Sequence, residues 1–453
     1  MVLIIPPSYD ATVPSLTRAE RLVVAVAAFG FFFDAYELLT MPLIVGPAFT
    51  ELAGGPASAA FHFLGVDWAW AGLIFWAPAV CGGLFGLAGG HLADRYGRRQ
   101  ILVWSILVYA GASMAAAFST SALMFLLCRC LVMVGVCVEF VAGIAWLAEM
   151  FQDPKRREGA VGFAQAVAGL GGLAVTGVWL LIVRYAGSLP EIYGGHAEWR
   201  YLCLSGLLPA IPLIMVRPFL PESPMWAKGR MSPRPRVAAL FEGTMRRTTV
   251  AAIVATACTY ALAYGAMQHL PRFVPMLPEI SGLDESAKKV ASGEMQMVQE
   301  SGGLVGRFLL AGLVVAVVAR RRMLRVLQVA AIVAFPLTFV WLSGMGFTPL
   351  GFGVFLTATI TAAQFNFWGS YLPRVFPTHL RGTGESFAAN VGGRIIGTTA
   401  ALATTTLAAN LTPVYGAGRS LALAAATVAT VACVIGLIAS RFLTEPESDA
   451  LPL

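Results

Sequence analysis

Apolar residues run along this chain in twelve long blocks, centred near residues 34, 79, 109, 136, 172, 209, 259, 303, 333, 361, 395 and 427. Gly, Pro or charge breaks each block from the next. Each is long enough to cross ~30 Å of hydrocarbon as a helix, the structure that satisfies its own backbone groups in lipid. The pattern therefore predicts an all-α membrane protein with twelve transmembrane helices. Composition agrees: a chain of 453 residues that is 58% hydrophobic and 12% charged cannot hide so much apolar surface in a soluble core. The N-terminal "MVLIIPPSYDATVPSLTRAER" lacks a basic start followed by an apolar stretch and a small-residue cleavage site, so the first block is expected to be kept.

Charge then orients the predicted spans. Lys and Arg number 31 against 24 acids, an excess that nucleic-acid binders also carry. Its placement follows a membrane instead: with both termini cytoplasmic, 22 basic residues fall on that side and 6 on the other, leaving Arg129, Arg307 and Arg394 within spans. The expected location is the inner membrane, multi-pass. All seven cysteines lie within spans without ligand spacing and read as small apolar fillers, so no metal site and no cofactor is expected. The loops are short and hold no nucleophile–base pair or phosphate loop, which argues against an enzyme.

The second half echoes the first. "GGLFG" at Gly82 returns as "GGLVG" at Gly302, "PKRREG" at Pro154 as "PTHLRG" at Pro377, and "GFAQAVAG" at Gly162 as "SFAANVGG" at Ser386. Six spans plus six predict a duplicated bundle: residues 1–219, a cytoplasmic linker 220–246, and residues 247–453, with a site between the halves near the midplane.

Several motifs carry a family resemblance. "GHLADRYGRR", Gly90 to Arg99, resembles the loop signature of the major facilitator superfamily. "RCLVMVGVCVEFVAGIAWLAE", Arg129 to Glu149, is similar to the fourth helix of sugar porters and metabolite:proton symporters. "PESPMW" at Pro221 resembles the sixth-helix exit of sugar porters and organic-ion transporters, and "FPTHLRGTG" with "NVGGR" resembles the eleventh helix of sialate, monocarboxylate and aromatic-acid proton symporters. "FFFDAYELL" looks like the first helix of phosphate and aromatic-acid symporters. The resemblance implies a twelve-helix transporter, functional as a monomer, that carries a small molecule and protons across the bilayer.

The resemblance also assigns a cytoplasmic gate: Gly90, Asp94, Arg95, Gly97, Arg98, Glu149, Arg157, Arg374 and Arg381, with Arg98 reaching Glu149. Here the second half departs from the pattern. "AGLVVAVVARRR" has no acid equivalent to Asp94, and Arg374 replaces the expected tenth-helix Glu. A cluster of Arg320, Arg321, Arg322, Arg374 and Arg381 with little acidic partner should repel itself, predicting a weaker clasp or one completed by anionic lipid.

Charges inside the spans are costly in lipid and are expected to face the bundle interior. Counted at ~1.5 Å per residue, Asp34, Glu139, Arg307 and Arg394 converge roughly 16 to 20 Å from the cytoplasmic boundary. Asp34 and Glu37, three apart, share one helical face. By resemblance Asp34 pairs with Arg129, and Asp34, Glu37, Arg129 and Glu139 form the proton-coupling set. Arg394 and Arg307 are the expected carboxylate contacts; Gln165, Tyr260, Tyr264, Gln364, Asn366 and Trp368 supply donors, acceptors and flat faces. Each of the aromatic and amide side chains is, singly, more often packing than ligand. Three acids against three arginines sum to zero, and adding one proton and one monoanion restores zero. This suits proton-coupled uptake of a small organic anion, a carboxylate. The rival readings are a sugar or polyol proton symporter or facilitator, a proton-antiport exporter, and a non-transporting subunit of a membrane assembly.

Overall fold

Among the described residues twelve helices, some of them interrupted, lie where the apolar blocks predict spans. The computed structural model describes residues 17–54, 60–63, 66–151, 153–227, 237–243, 245–316, 320–377 and 380–445. The helices are α1 (Arg18–Leu52), α2 (Trp70–Tyr96), α3 (Arg98–Ala117), α4 (Ala122–Met150), α5 (Pro154–Ala168, then Gly171–Tyr185) and α6 (Glu198–Ser205, then Leu207–Val216). The second set is α7 (Met245–Gly265, continued in short turns to Met276), α8 (Glu285–Ala316), α9 (Arg320–Pro336, continued to Met345) and α10 (Phe347–Val375). It ends with α11 (Arg381–Phe387, Ala388–Gly397, Thr399–Tyr415) and α12 (Ala417–Ala439). Length and apolar composition alone qualify ten of them as membrane spans; α8 and α11, which carry Arg307 and Arg394, are the two that fall short. Lys228, Arg230, Arg234 and Arg236, part of the basic linker, lie outside the described residues.

One element departs from the all-helical expectation. Between α1 and α2 a small antiparallel hairpin, β1 (Ala60–Phe63) with β2 (Val66–Ala69), pairs Ala60 with Ala69 and Phe63 with Val66. Its strands are four residues each, too short to register as a period in a chain of long apolar runs.

Local chemistry sets where helices start. Thr17 caps α1 through a reciprocal box: its hydroxyl accepts from the Glu20 N–H at 3.2 Å, while Glu20 accepts from the Thr17 N–H at 2.7 Å. Gly97, at φ +98°, makes the sharp turn between α2 and α3 that other residues rarely adopt.

The internal repeats have a packing reason. In lipid, helices associate by close van der Waals approach at small residues. Gly82 of "GGLFG" lies against the Met133 carbonyl and Cys137, which brings α2 onto α4. Gly302 and Gly306 of "GGLVG" lie against the carbonyls of Phe355 and Thr359, which brings α8 onto α10. The buried side chains gather into one cluster drawn from residues 240–443 and two drawn chiefly from residues 23–220, with Tyr264 and Ala401 reaching across to the first half.

Two helices are irregular at matching places. α5 unwinds at Gly169 and Leu170, and α11 widens into a π-helical turn over Ala388–Gly397. Irregular backbone at membrane depth is tolerated where it is buried in protein or lines a cavity. Both breaks stand beside the interface of the halves, and they position the site.

Candidate functional site

Helix α1 carries the first two acids inward. Asp34 is 4% exposed and Glu37 1% exposed. Glu37 is fully engaged: Arg129 Nη1 lies 3.4 Å from its carboxylate, Arg129 Nη2 donates to its backbone carbonyl at 2.8 Å, and Ser113 donates to it at 3.1 Å. The expected pairing of Asp34 with Arg129 is therefore corrected: Arg129 belongs to Glu37, one turn further along the same face. Among the described residues, neither carboxylate oxygen of Asp34 has a hydrogen-bond partner. An acid in this position lies within electrostatic reach of Glu139, Arg217 and Arg394.

Glu139 on α4 is completely buried and forms an ion pair with Arg217. Arg217 also donates to the Leu102 carbonyl at 2.9 Å. The charge tally places Arg217 among the residues anchoring the chain at the membrane surface; the structure instead turns it inward, 3% exposed. The available signal was its setting, since Met215, Val216, Phe219 and Leu220 surround it with apolar residues. Gly30 makes the room: a side-chain carbon there would run into Arg217 Nη2 and Glu139 Oε1.

The second half contributes two arginines. Arg394, in the π-helical turn of α11, donates to Asn390 Oδ1 at 2.7 Å and packs its stem against Gly83 of α2. Arg307 on α8 reaches the break in α5, where Gly169 leaves space for its Nη1. Glu300, two turns earlier on α8, lies against Gly172 just beyond the same break and accepts from Gln299 at 3.0 Å. Among the described residues no ion pair of 4 Å or less joins Glu300 to Arg307 or engages Arg394.

The amide and aromatic candidates divide. Tyr260 and Tyr264 stack at 6.2 Å on α7, with Tyr260 against Gly393 beside Arg394. Asn366 donates to the Arg307 backbone carbonyl at 3.4 Å. Trp368 is buried among the second half's apolar side chains, its N–H donating to Thr259 at 2.9 Å. Gln364 is 1% exposed with its amide nitrogen unpartnered, and Gln165 is exposed.

At the end where α2 turns into α3, Arg98 bridges Asp94 at 2.5 Å and Glu149 at 2.9 and 3.1 Å. The "PESPMW" stretch closes over this turn. Glu222 accepts from the N–H groups of Arg98 and Arg99 at 3.0 and 3.1 Å, supplying the cap that Gly97 lacks. Ser223 donates to Glu149, and Trp226 donates to the Asp94 carbonyl at 2.8 Å. Glu222 and Trp226 hold this turn in place, contacts that the "PESPMW" motif marked without revealing. Arg95 is exposed over the Tyr96 ring, Gly90 is half-buried within α2, and Arg157 is half-buried in the first turns of α5.

The corresponding basic cluster of the second half finds an acid after all. Arg321 pairs with Glu445 at 2.7 Å and donates to the Leu443 carbonyl at 3.0 Å. Arg374 donates to the Ser370 carbonyl, and Arg381 stands one turn from Glu385. The acid comes from the chain beyond α12, so the search for one near α8 and α9 missed it.

At the opposite end the halves are tied together. Lys289 of α8 bonds both carboxylate oxygens of Glu198 on α6, at 2.9 and 2.7 Å. The Trp179 indole of α5 donates to the Lys289 carbonyl at 3.2 Å, and Phe75 of α2 meets His269 edge-on at 5.4 Å.

A family model described as Major Facilitator Superfamily matches residues 22–401. A protein named "Probable 4-methylmuconolactone transporter" from Cupriavidus pinatubonensis is 28% identical over 378 residues, covering 81% of this chain and 79% of that one. The sialic acid transporter NanX of Escherichia coli is 23% identical over 421 residues, covering 92% and 93%. The crystal structure of a D-xylose-proton symporter superposes with a TM-score of 0.71 at 16% identity, covering 95% of this chain and 99% of that one, a likeness of fold.

Proposed function

The chain belongs to the Major Facilitator Superfamily, and from that premise we propose that it is a proton-coupled symporter taking up a small organic carboxylate by alternating access. In this reading it works as a monomer in the inner membrane with both termini in the cytoplasm. The observation that carries it is Asp34: among the described residues, a buried carboxyl with neither oxygen hydrogen-bonded, within electrostatic reach of the closed Glu139–Arg217 pair and of Arg394, an arginine of the other half with no ion-pair partner.

A buried carboxylate with no partner costs several kcal/mol, so Asp34 is held most cheaply with its proton on. Arg394 and Arg307 are the converse, cations with spare donors at the interface of the halves, suited to a planar carboxylate. Glu37 with Arg129 and Glu139 with Arg217 are already neutral units. The remaining Asp34, Glu300, Arg307 and Arg394 sum to zero when both acids are ionised, and to zero again with one proton and one monoanion added. A carrier that reorients in both conditions avoids moving uncompensated charge through a closed state. The relative named for sialic acid supports an acid as substrate.

The test is binding and uptake with matched compounds. Purified protein should be stabilised against heating by carboxylates but not by their amides, and Arg394→Gln should remove that response. In proteoliposomes, Asp34→Asn should abolish accumulation driven by a pH gradient while preserving exchange of preloaded substrate. Equal stabilisation by neutral sugars, or accumulation unchanged in Asp34→Asn, would favour the sugar-symporter or facilitator reading instead.

A further inference from the structure

We infer that Arg217 is an exchangeable counter-ion shared by Asp34 and Glu139, and that the segment it heads, Arg217–Trp226, carries their protonation state to the loop cluster at the α2–α3 turn. This rests on Asp34 as the proton carrier, and it adds a residue and a route which that reading does not contain.

The geometry is specific. An arginine at a helix exit normally extends its head to water along an apolar stem. Arg217 does the reverse, with Nη1 on the Leu102 carbonyl and Nη2 on Glu139. Its guanidinium has five N–H donors, so capacity remains for a second carboxylate. Gly30, one turn before Asp34 on the same face of α1, is where the guanidinium meets that helix: a side-chain carbon there would run into Arg217 Nη2 and Glu139 Oε1.

Every charged or titratable group facing Asp34 fits the same scheme. Glu37 on its own helix is committed to Arg129. Tyr109 of α3 and Cys137 of α4 are buried neighbours, and Tyr109 also stands beside Glu139. Glu139 of α4 is the nearby acid, Arg394 of α11 is the cation a substrate carboxylate would occupy, and Arg217 is the cation left over. The proton moves from Asp34 to Glu139 while the guanidinium moves from Glu139 to Asp34. Before and after, the three groups hold one proton, one carboxylate and one guanidinium, so the net charge of the buried cluster does not change.

Beyond Arg217, Leu220, Pro221, Glu222, Ser223 and Trp226 are each bonded to the α2–α3 turn or to α4. Arg99 donates to the Leu220 carbonyl at 3.2 Å, and Trp146 donates to the Pro221 carbonyl at 3.1 Å. Glu222 caps α3, Ser223 bonds Glu149, and Trp226 bonds the Asp94 carbonyl. A shift of Arg217 toward Asp34 therefore pulls on the partners of Arg98 without involving the substrate.

The test needs no substrate. The full chain in lipid nanodiscs is titrated with pH while infrared spectroscopy follows the carbonyl band of protonated carboxyls and hydrogen exchange follows residues 217–226. One protonated-carboxyl band should disappear in Asp34→Asn. Arg217→Gln should gain a second band, which Glu139→Gln removes. Exchange in the segment should change across the pH range where the Asp34 band titrates, and lose that response in Asp34→Asn and Arg217→Gln. If Arg217→Gln does not fold, Glu139→Gln with Arg217→Met removes the pair as a unit; the Asp34 band should then persist while the segment stops responding. A segment that still follows Asp34 without Arg217, or no second band in Arg217→Gln, overturns the link. A wild type with no Asp34 band overturns the proton role of Asp34, and the link with it.

Discussion

Glu37 and Arg129 illustrate what one residue can and cannot tell from sequence. The spacing of Asp34 and Glu37 puts both on the buried face of α1, and that much is readable from a three-residue offset. Which of them meets Arg129 depends on how far α1 slides along α4, a distance no spacing encodes; the answer is Glu37, at 3.4 Å. Arg217 is harder still, because an arginine at the end of an apolar block looks the same whether it anchors outward or folds back. The Glu37–Arg129 pair gives a clear expectation. Both side chains are at most 2% exposed, so removing one leaves a buried charge uncompensated. Arg129→Met should cost ~3–5 kcal/mol, whereas Glu37→Met with Arg129→Met should recover most of that loss. Thermal unfolding of the three proteins in one detergent measures it, and equal loss in single and double variants would mean the pair contributes through packing alone.

At the scale of the element, the repeats were legible and their irregularities were not. "GFAQAVAG" and "SFAANVGG" mark equivalent stretches of α5 and α11, but a glycine there serves equally for close packing or for unwinding. The structure uses it for both: Gly393 packs on Tyr260, while Gly169 sits in the two-residue break that Arg307 fills. The helix starts are a second repeat that the sequence nearly hides. Glu222 caps α3 after α6, and Glu445 accepts from the Arg321 N–H at 3.3 Å at the start of α9 after α12. Two separate halves thus use one device, a carboxylate from the chain beyond the sixth helix set against the positive end of the third. Glu222→Gln and Glu445→Gln should each lower stability by ~0.5–2 kcal/mol, and the double variant by their sum, because the sites share no partner. Hydrogen exchange should rise in the first turn of α3 in one variant and of α9 in the other. A non-additive double variant would show that the two caps communicate.

For the molecule as a whole, the fold followed from the apolar blocks because lipid admits so few alternatives, and the contacts between halves did not, because they join residues far apart in sequence. Lys289 and Glu198 are the plainest case: each looks like an ordinary loop-proximal charge, yet they form the ion pair that joins α8 to α6 at the end opposite the Arg98 cluster. Beneath them, Trp179 on Lys289 and Gly293 on Trp179 and Leu180 press α5 onto α8. In the proposed alternating-access cycle these contacts part when this end opens. A partly exposed pair contributes about 1 kcal/mol or less to stability, but the same amount shifts a two-state balance several-fold. Lys289→Met should therefore leave folding nearly unchanged and increase several-fold the labelling rate of a cysteine introduced at Val290, a residue of α8 that packs against the first half's core. Exchanging the charges, Lys289→Glu with Glu198→Lys, should bring the rate back, since attraction between the halves is restored while both native side chains are gone. Labelling that rises in the exchanged protein as much as in Lys289→Met would assign the closed end to Trp179 and its packing, with the ion pair a bystander.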